Sequence, residues 1–224
     1  PFGDDRLELI FNSKFGVGNT IYQGANRYNI RDFYLAQQKL ELKAKNFFIR
    51  GYVTTEDAGN SYDSRFAAIN INRKWKSDQD WFTQYAGTYL VTGSHVAARA
   101  AADTGRLVPG TAAFTSAFDE VTADPNLVTG ARFQDQTKLY HGDVNYNFQD
   151  LIEWAEFQVG GSYRRYSLNS NGSIFTDYDG AINYDEYGVY TQMQKKFLED
   201  DRLKFTASLR YDKAQNFDGN FSPR

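Results

Sequence analysis

Between Tyr187 and Asp212, apolar and polar positions alternate with a period of two, broken only by a short charged stretch. One set is Tyr187, Val189, Thr191 and Met193, then Leu203, Phe205, Ala207, Leu209 and Tyr211. The other is Gly188, Tyr190, Gln192, Gln194 and Lys196, then Lys204, Thr206, Ser208, Arg210 and Asp212. A period of two predicts strands, and two runs around Leu198–Arg202 predict an antiparallel hairpin. Each run is about ten residues long, against ~5–6 in an ordinary soluble sheet. At ~3.3 Å per residue and a tilt of ~40°, such strands cross the ~25 Å apolar band of an outer-membrane barrel. Tyr187 and Tyr211 at one end and Phe197 at the other fall where aromatic girdles lie. Turning Lys196, Lys204 or Arg210 toward lipid would cost up to ~2–4 kcal/mol each. The apolar set is therefore read as lipid-facing and the polar set as lumen-facing.

The same alternation predicts strands over Arg6–Val17, Ile30–Ala44, Phe47–Thr55, Lys138–Phe148 and Trp154–Ser167. With the hairpin they make about seven, read as all-β: an antiparallel transmembrane β-barrel segment filling residues 1–224. The connections should sort by length. Loops at 18–29, 56–137, 168–186 and from 213 onward are long and expected outside the cell. The turns at Lys45-Asn46, Gln149–Glu153 and Leu198–Arg202 are short and expected in the periplasm. Residues 56–137 exceed any ordinary loop and break the two-residue period. Within them Trp81, Tyr85 and Tyr89 recur at helical spacing, and Ser94 precedes an alanine-rich run as an N-cap. Phe114, Phe118 and Val121 share one side of a further run that Pro125 ends. Two or three short helices folded over the barrel mouth are expected.

Composition refines this reading. Mean hydropathy is −0.62, and no run approaches the ~18 apolar residues of a membrane helix. A barrel tolerates both, since half of each strand avoids lipid. Aromatic residues make up 17%, which suits interfacial girdles or a stacking surface. The absence of cysteine excludes disulfide scaffolds and cysteine zinc sites, and a net charge of −3 argues against nucleic acid as a partner. PFGDDRLELIF lacks the pattern of a signal peptide, the chain stops at FSPR where another strand could begin, and both ends look cut. No catalytic constellation appears. His95 and His141 lack a metal-ligand spacing, Asp177-Tyr178-Asp179-Gly180 falls short of a calcium loop, and no cofactor or metal is expected. The candidate ligand- or partner-binding residues are Trp75, Trp81, Tyr85 and Tyr89, whose alternative role is the core of the insertion itself. His141, Arg164, Gln192 and Arg210 are the candidate lumen-facing residues.

The run Leu209-Arg210-Tyr211-Asp212-Lys213, followed by Asn216-Phe217 and Phe221-Ser222-Pro223-Arg224, resembles a late barrel segment of TonB-dependent outer-membrane receptors. Glu186-Tyr187-Gly188-Val189-Tyr190-Thr191-Gln192 resembles the strand leading into it, and both are most similar to the SusC-like branch of Bacteroidota. The resemblance implies a barrel of about 22 strands, a plug domain and a TonB box, neither of which this chain carries. It also implies outer-membrane lipid as surroundings, energy from the TonB system through the missing N-terminal region, and a SusD-like surface lipoprotein as a partner. The implied activity is import of a large nutrient: an oligosaccharide, peptide or metal chelate. The alternatives are a passive porin-like barrel, a barrel serving as a docking component, and a soluble lectin-like sandwich.

Overall fold

The computed structural model describes residues 7–24, 26–198 and 202–224. Among them, nine strands form one sheet: β1 (Leu7–Gln23), β2 (Arg27–Ala44), β3 (Phe47–Asp57), β4 (Tyr62–Asp63), β5 (Lys138–Asn147), β6 (Glu156–Leu168), β7 (Ile182–Phe197), β8 (Leu203–Ala214) and β9 (Asn220–Pro223). Between β4 and β5 lie four helices: α1 (Ser64–Trp75), α2 (Asp78–Thr92), α3 (His95–Ala102) and α4 (Ala112–Ala123). The strand order is β1-β2-β3-β5-β6-β7-β8-β9, with β4 paired to β2, and the pairs from β2 through β9 are antiparallel. The chain divides into two compact units. One comprises Pro1–Gly16, Tyr34–Asp57 and Asp135–Arg224; the other comprises Val17–Phe33 and Ala58–Gln134.

In the first unit the register carries the alternation across strands unbroken. Leu42 faces Ile49, Ile49 faces Val144, Val144 faces Gly161, Gly161 faces Val189 and Val189 faces Tyr211. Because side chains alternate faces, that row fixes one apolar surface for the whole sheet. The apolar surface is open: Ile49, Val189 and Phe205 are 52%, 55% and 53% exposed. A soluble sheet covers such a face, and a contiguous uncovered one marks an interaction surface. Its two ends carry amphipathic groups. At one, Arg165 and Tyr163 both bind the Asp185 carboxylate at 2.7 Å, beside the Tyr163–Tyr187 cross-strand pair. At the other, the Lys195 ammonium lies 5.2 Å from the Trp154 ring and 5.3 Å from that of Phe197.

The strand boundaries differ from the alternation-based reading in several places. β1 and β2 run 17 and 18 residues, so residues 18–29 are not a loop; the pair turns at Gly24 and Asn26. Val17 and Ile21 continue the apolar row on either side of Asn19, whose Oδ1 accepts the Asp32 N–H at 2.6 Å. Asp32 sits at φ 54, a left-handed kink in β2. Gly59 is required beside it, since a Cβ there would lie 2.3 Å from the Asp32 carbonyl oxygen. β6 starts at Glu156 rather than Trp154, β7 starts at Ile182 rather than Tyr187, and β9 adds a strand after a turn at 215–219. Short and long connections therefore alternate only from β2 to β8. The start of the first strand at Arg6 and part of the turn Leu198–Arg202 lie outside the described residues.

Within the second unit the helices follow local capping signals. Asp63 accepts from the backbone N–H of Arg65 and Phe66, Ser77 from Asp80, Ser94 from Ala97 and Thr111 from Phe114. Gly93 ends α2 at φ 60, where a side chain would be strained. Ala67 and Ile71 of α1 pack against Ala117 and Val121 of α4 and against Ala131. Helix α1 was not expected from the sequence: its apolar positions are small or interrupted by Asn70, Asn72 and Arg73. No described helix is long and apolar enough to cross a membrane, which says nothing about crossing by strands.

Candidate functional site

Two surfaces carry the chemistry of this chain, one on the sheet and one on the helices. On the sheet, the face opposite the apolar one holds paired charges. Arg50 of β3 grips Asp143 of β5 through two hydrogen bonds, 2.9 and 2.6 Å. Their neighbours Tyr52 and His141, also register partners, stack with ring centroids 4.8 Å apart. His141 in turn faces Arg164 of β6, which pairs with Glu186 of β7 at 3.1 Å. Arg210 of β8 holds Asp212 by two bonds of 2.7 Å, and that pair lies over Gly188, where a Cβ would fall 2.4 Å from the carboxylate. Gly160 makes room for the Tyr190 ring in the same way, and the Tyr190 hydroxyl accepts from Asn145 at 2.7 Å.

Parity thus puts the four candidates His141, Arg164, Gln192 and Arg210 on one face of the sheet. Only His141 and Arg164 are direct register partners, while Gln192 faces Gln158 and Ser208. Their counter-charges Asp143, Glu186 and Asp212, and the whole Arg50–Asp143 pair, are needed to complete the surface. A hollow of about 280 Å³ opens between Ser162, Arg164, Glu186, Arg210 and Asp212. Each exposed or half-exposed pair is worth only ~0.2–1 kcal/mol, so the row serves hydrogen bonding more than stability.

On the helices, Trp81, Tyr85 and Tyr89 line one side of α2 and stack toward His95 of α3. Trp81 and Tyr85 lie 5.3 Å apart at 13°, and Tyr89 and His95 4.3 Å apart at 17°. The Tyr85 hydroxyl bonds His95 Nδ1 at 2.7 Å, and the Trp81 indole N–H donates to Asp103 at 2.8 Å. That indole bond, with the charges of Arg99 and Arg106, holds the Asp103 carboxyl below its ordinary range despite some burial. Three of the four candidate aromatics are thus the α2–α3 contact. No ring contact joins them to Trp75, whose ring carries the Lys76 ammonium at 4.4 Å.

What α2 and α3 leave open is instead Phe82, Leu90, Val91 and Val96, at 64–87% exposed. The spacing of Phe82, Ala86 and Leu90 at i, i+4, i+8 is the sequence signal for that stripe. Among the described residues, no cluster of three or more His, Asp or Glu could hold a metal ion.

Comparison with protein-family models matches residues 2–224 to the family described as TonB dependent receptor-like, beta-barrel. Barrels of that family lie in the bacterial outer membrane and serve transport rather than catalysis. No curated protein and no solved structure matches the chain. An uncovered apolar face, an ion-paired opposite face and a match over nearly the full length agree: the chain belongs to the TonB-dependent receptor β-barrel family.

Proposed function

We propose that this chain forms part of the wall of an energy-coupled outer-membrane importer for a nutrient too large for passive pores, an oligosaccharide, peptide or metal chelate. The observation that carries the reading is the register-wide amphipathy of the sheet, apolar and open on one face, ion-paired on the other. Lipid satisfies the first face. The second, with Arg50, His141, Arg164, Gln192 and Arg210, offers the donors and acceptors that a polar solute or a packed protein segment needs. The test is uptake by the full-length receptor in cells with and without the TonB system. Uptake should stop when TonB is removed; undiminished uptake would establish a passive pore.

A second role falls to the helical insertion, as a docking surface for a SusD-like surface lipoprotein. The exposed stripe of Phe82, Leu90, Val91 and Val96 favours it, since it resembles the apolar anchor row of a helix-mediated contact. Phe82→Glu with Leu90→Glu should abolish co-purification of the lipoprotein while leaving barrel assembly intact. Unchanged co-purification would exclude this face.

A further inference from the structure

The helical insertion also contains a cleft of about 480 Å³, bounded by α1, α4 and the segment 106–109. Its floor is Ala67 and Ile71, which are 4% and 6% exposed. Its aromatic wall is Tyr62, Phe118 and Phe114: Phe118 stands edge-on to Tyr62 at 5.4 Å and stacks with Phe114 at 6.3 Å. The opening exists because α1 presents the small side chains of Ser64, Ala67 and Ala68 beside Ile71 there, and because the segment above is held in place at both ends. Arg106 N–H donates to the Asp103 carbonyl at 3.0 Å, and Thr111 N–H to that of Val108 at 3.1 Å. Gly110, at φ 90, lets the chain turn between that segment and α4.

The polar side chains lining the cleft are Ser64, Asn72, Arg106 and Tyr62, whose hydroxyl accepts from Asn29 Nδ2 at 2.7 Å. Arg106 Nε donates to Asn72 Oδ1 at 3.2 Å, and Asn72 Nδ2 donates to the Ala68 carbonyl at 2.9 Å, which fixes the guanidinium at the edge. Among the described residues Arg106 forms no ion pair. Asp103, the acid whose carboxyl feels the Arg106 charge, already accepts from Trp81 at 2.8 Å and faces Arg99 at 3.5 Å. The guanidinium lines the cleft, and among the described residues its terminal nitrogens have no hydrogen-bond partner, which leaves donors of the kind that suit a carboxylate. Volume and lining match small-molecule sites, which run ~300–1,000 Å³ and are mostly apolar with a few orienting polar groups.

We propose that this cleft binds a small aromatic carboxylate, with its ring against Tyr62, Phe114 and Phe118 and its carboxylate on Arg106. The site belongs to the insertion alone, so direct binding tests it independently of whether the barrel imports anything. The probe is 2-naphthoate, titrated into the full-length receptor in detergent, with neutral 2-naphthamide as its comparison. The wild type should bind one 2-naphthoate saturably and 2-naphthamide at least about tenfold more weakly, the scale of a charge-assisted pair. Arg106→Gln should erase that preference while retaining 2-naphthamide binding. Ala68→Phe, at an exposed helical position, should fill the cleft and abolish binding of both, with the helical circular dichroism unchanged. Absence of saturable binding by the wild type, equal affinity for the two probes, or full binding by Ala68→Phe would each overturn the assignment.

Discussion

Lys195 is the side chain that most directly tests the proposed lipid-facing of the sheet. By parity it belongs with Val189 and Met193 on the apolar face, where an ammonium in mid-membrane would cost ~2–4 kcal/mol. It stands near the end of β7, stacked between Trp154 and Phe197, so its charge can reach the interface while its methylenes stay in the apolar layer. From Tyr187 to Phe197 the strand spans roughly 33 Å at ~3.3 Å per residue, or ~25 Å across a layer at ~40° tilt. Arginine placed deeper, at Val159, which pairs with Thr191 midway along that span, meets the full penalty and should lower the folded yield in lipid by ~2–4 kcal/mol equivalent, with smaller losses at Val189, two residues from Tyr187, and at Phe205, the register partner of Lys195. Arginine at Gln192 or Ser208 should be tolerated, with folding yields in vesicles as the readout. At Gln158 the same change would also disturb its 3.4 Å bond from Asn145. Equal yields for the two sets would show that the faces are reversed or both wet.

At the scale of elements, the loop from 169 to 181 is organised by one carboxylate. Burial alone would push Asp177 up, but hydrogen bonds from the Ser170 hydroxyl and the backbone N–H groups of Ser170, Asn171 and Gly172 outweigh it. They hold the acid far below the ordinary carboxylate range of ~3.9. A depressed pKa stabilises the loop fully above that ordinary value and loses the contribution as pH falls through the lowered one. Amide exchange at Asn171 and Gly172 should therefore stay slow at pH 4–5 and accelerate only in stronger acid. Asp177→Asn should accelerate it already at pH 7. Rapid exchange in the wild type at pH 5 would contradict the arrangement.

Elements with a regular period were legible in the sequence: β3, β5, β8, α2 and α3 lie within a few residues of expectation because their alternation or caps are local. The far end of β1 was not, since Gly18 and Asn19 read as the start of a polar loop until pairing with β2 is known. Nor was α1, whose packing against α4 rests on alanines that carry little pattern. Of the candidate site residues, the four on the polar face follow from parity alone. The aromatic row of α2 was legible as a row; its consumption by His95 was not, because that depends on how α3 folds back.

For the molecule as a whole, the sheet ends at β1 and β9, which do not pair with each other among the described residues. Each open edge presents N–H and C=O groups that lipid cannot satisfy and that recruit other chains in water. These 224 residues expressed alone should therefore aggregate or require further strands, rather than form a closed monomer. A heat-modifiable, protease-resistant monomer of 25.6 kDa in micelles would be evidence of closure and against this expectation. Removing the helices should cost the sheet only Asp63 of the two-residue β4. Tyr62 and Arg132 face each other across an antiparallel bridge, so a short Gly-rich turn joins them directly. In the full-length receptor that deletion should assemble normally and lose partner binding.

The paired charges on the polar face have a further consequence. Arg50 with Asp143, Arg164 with Glu186, and Arg210 with Asp212 cancel in sign over a few ångströms. Where that face lines a passage, a solute moving along it meets alternating dipoles instead of a field of one polarity. Such a wall sorts its traffic by the arrangement of hydroxyls, amides and rings, and is nearly blind to whether the traveller is an anion or a cation.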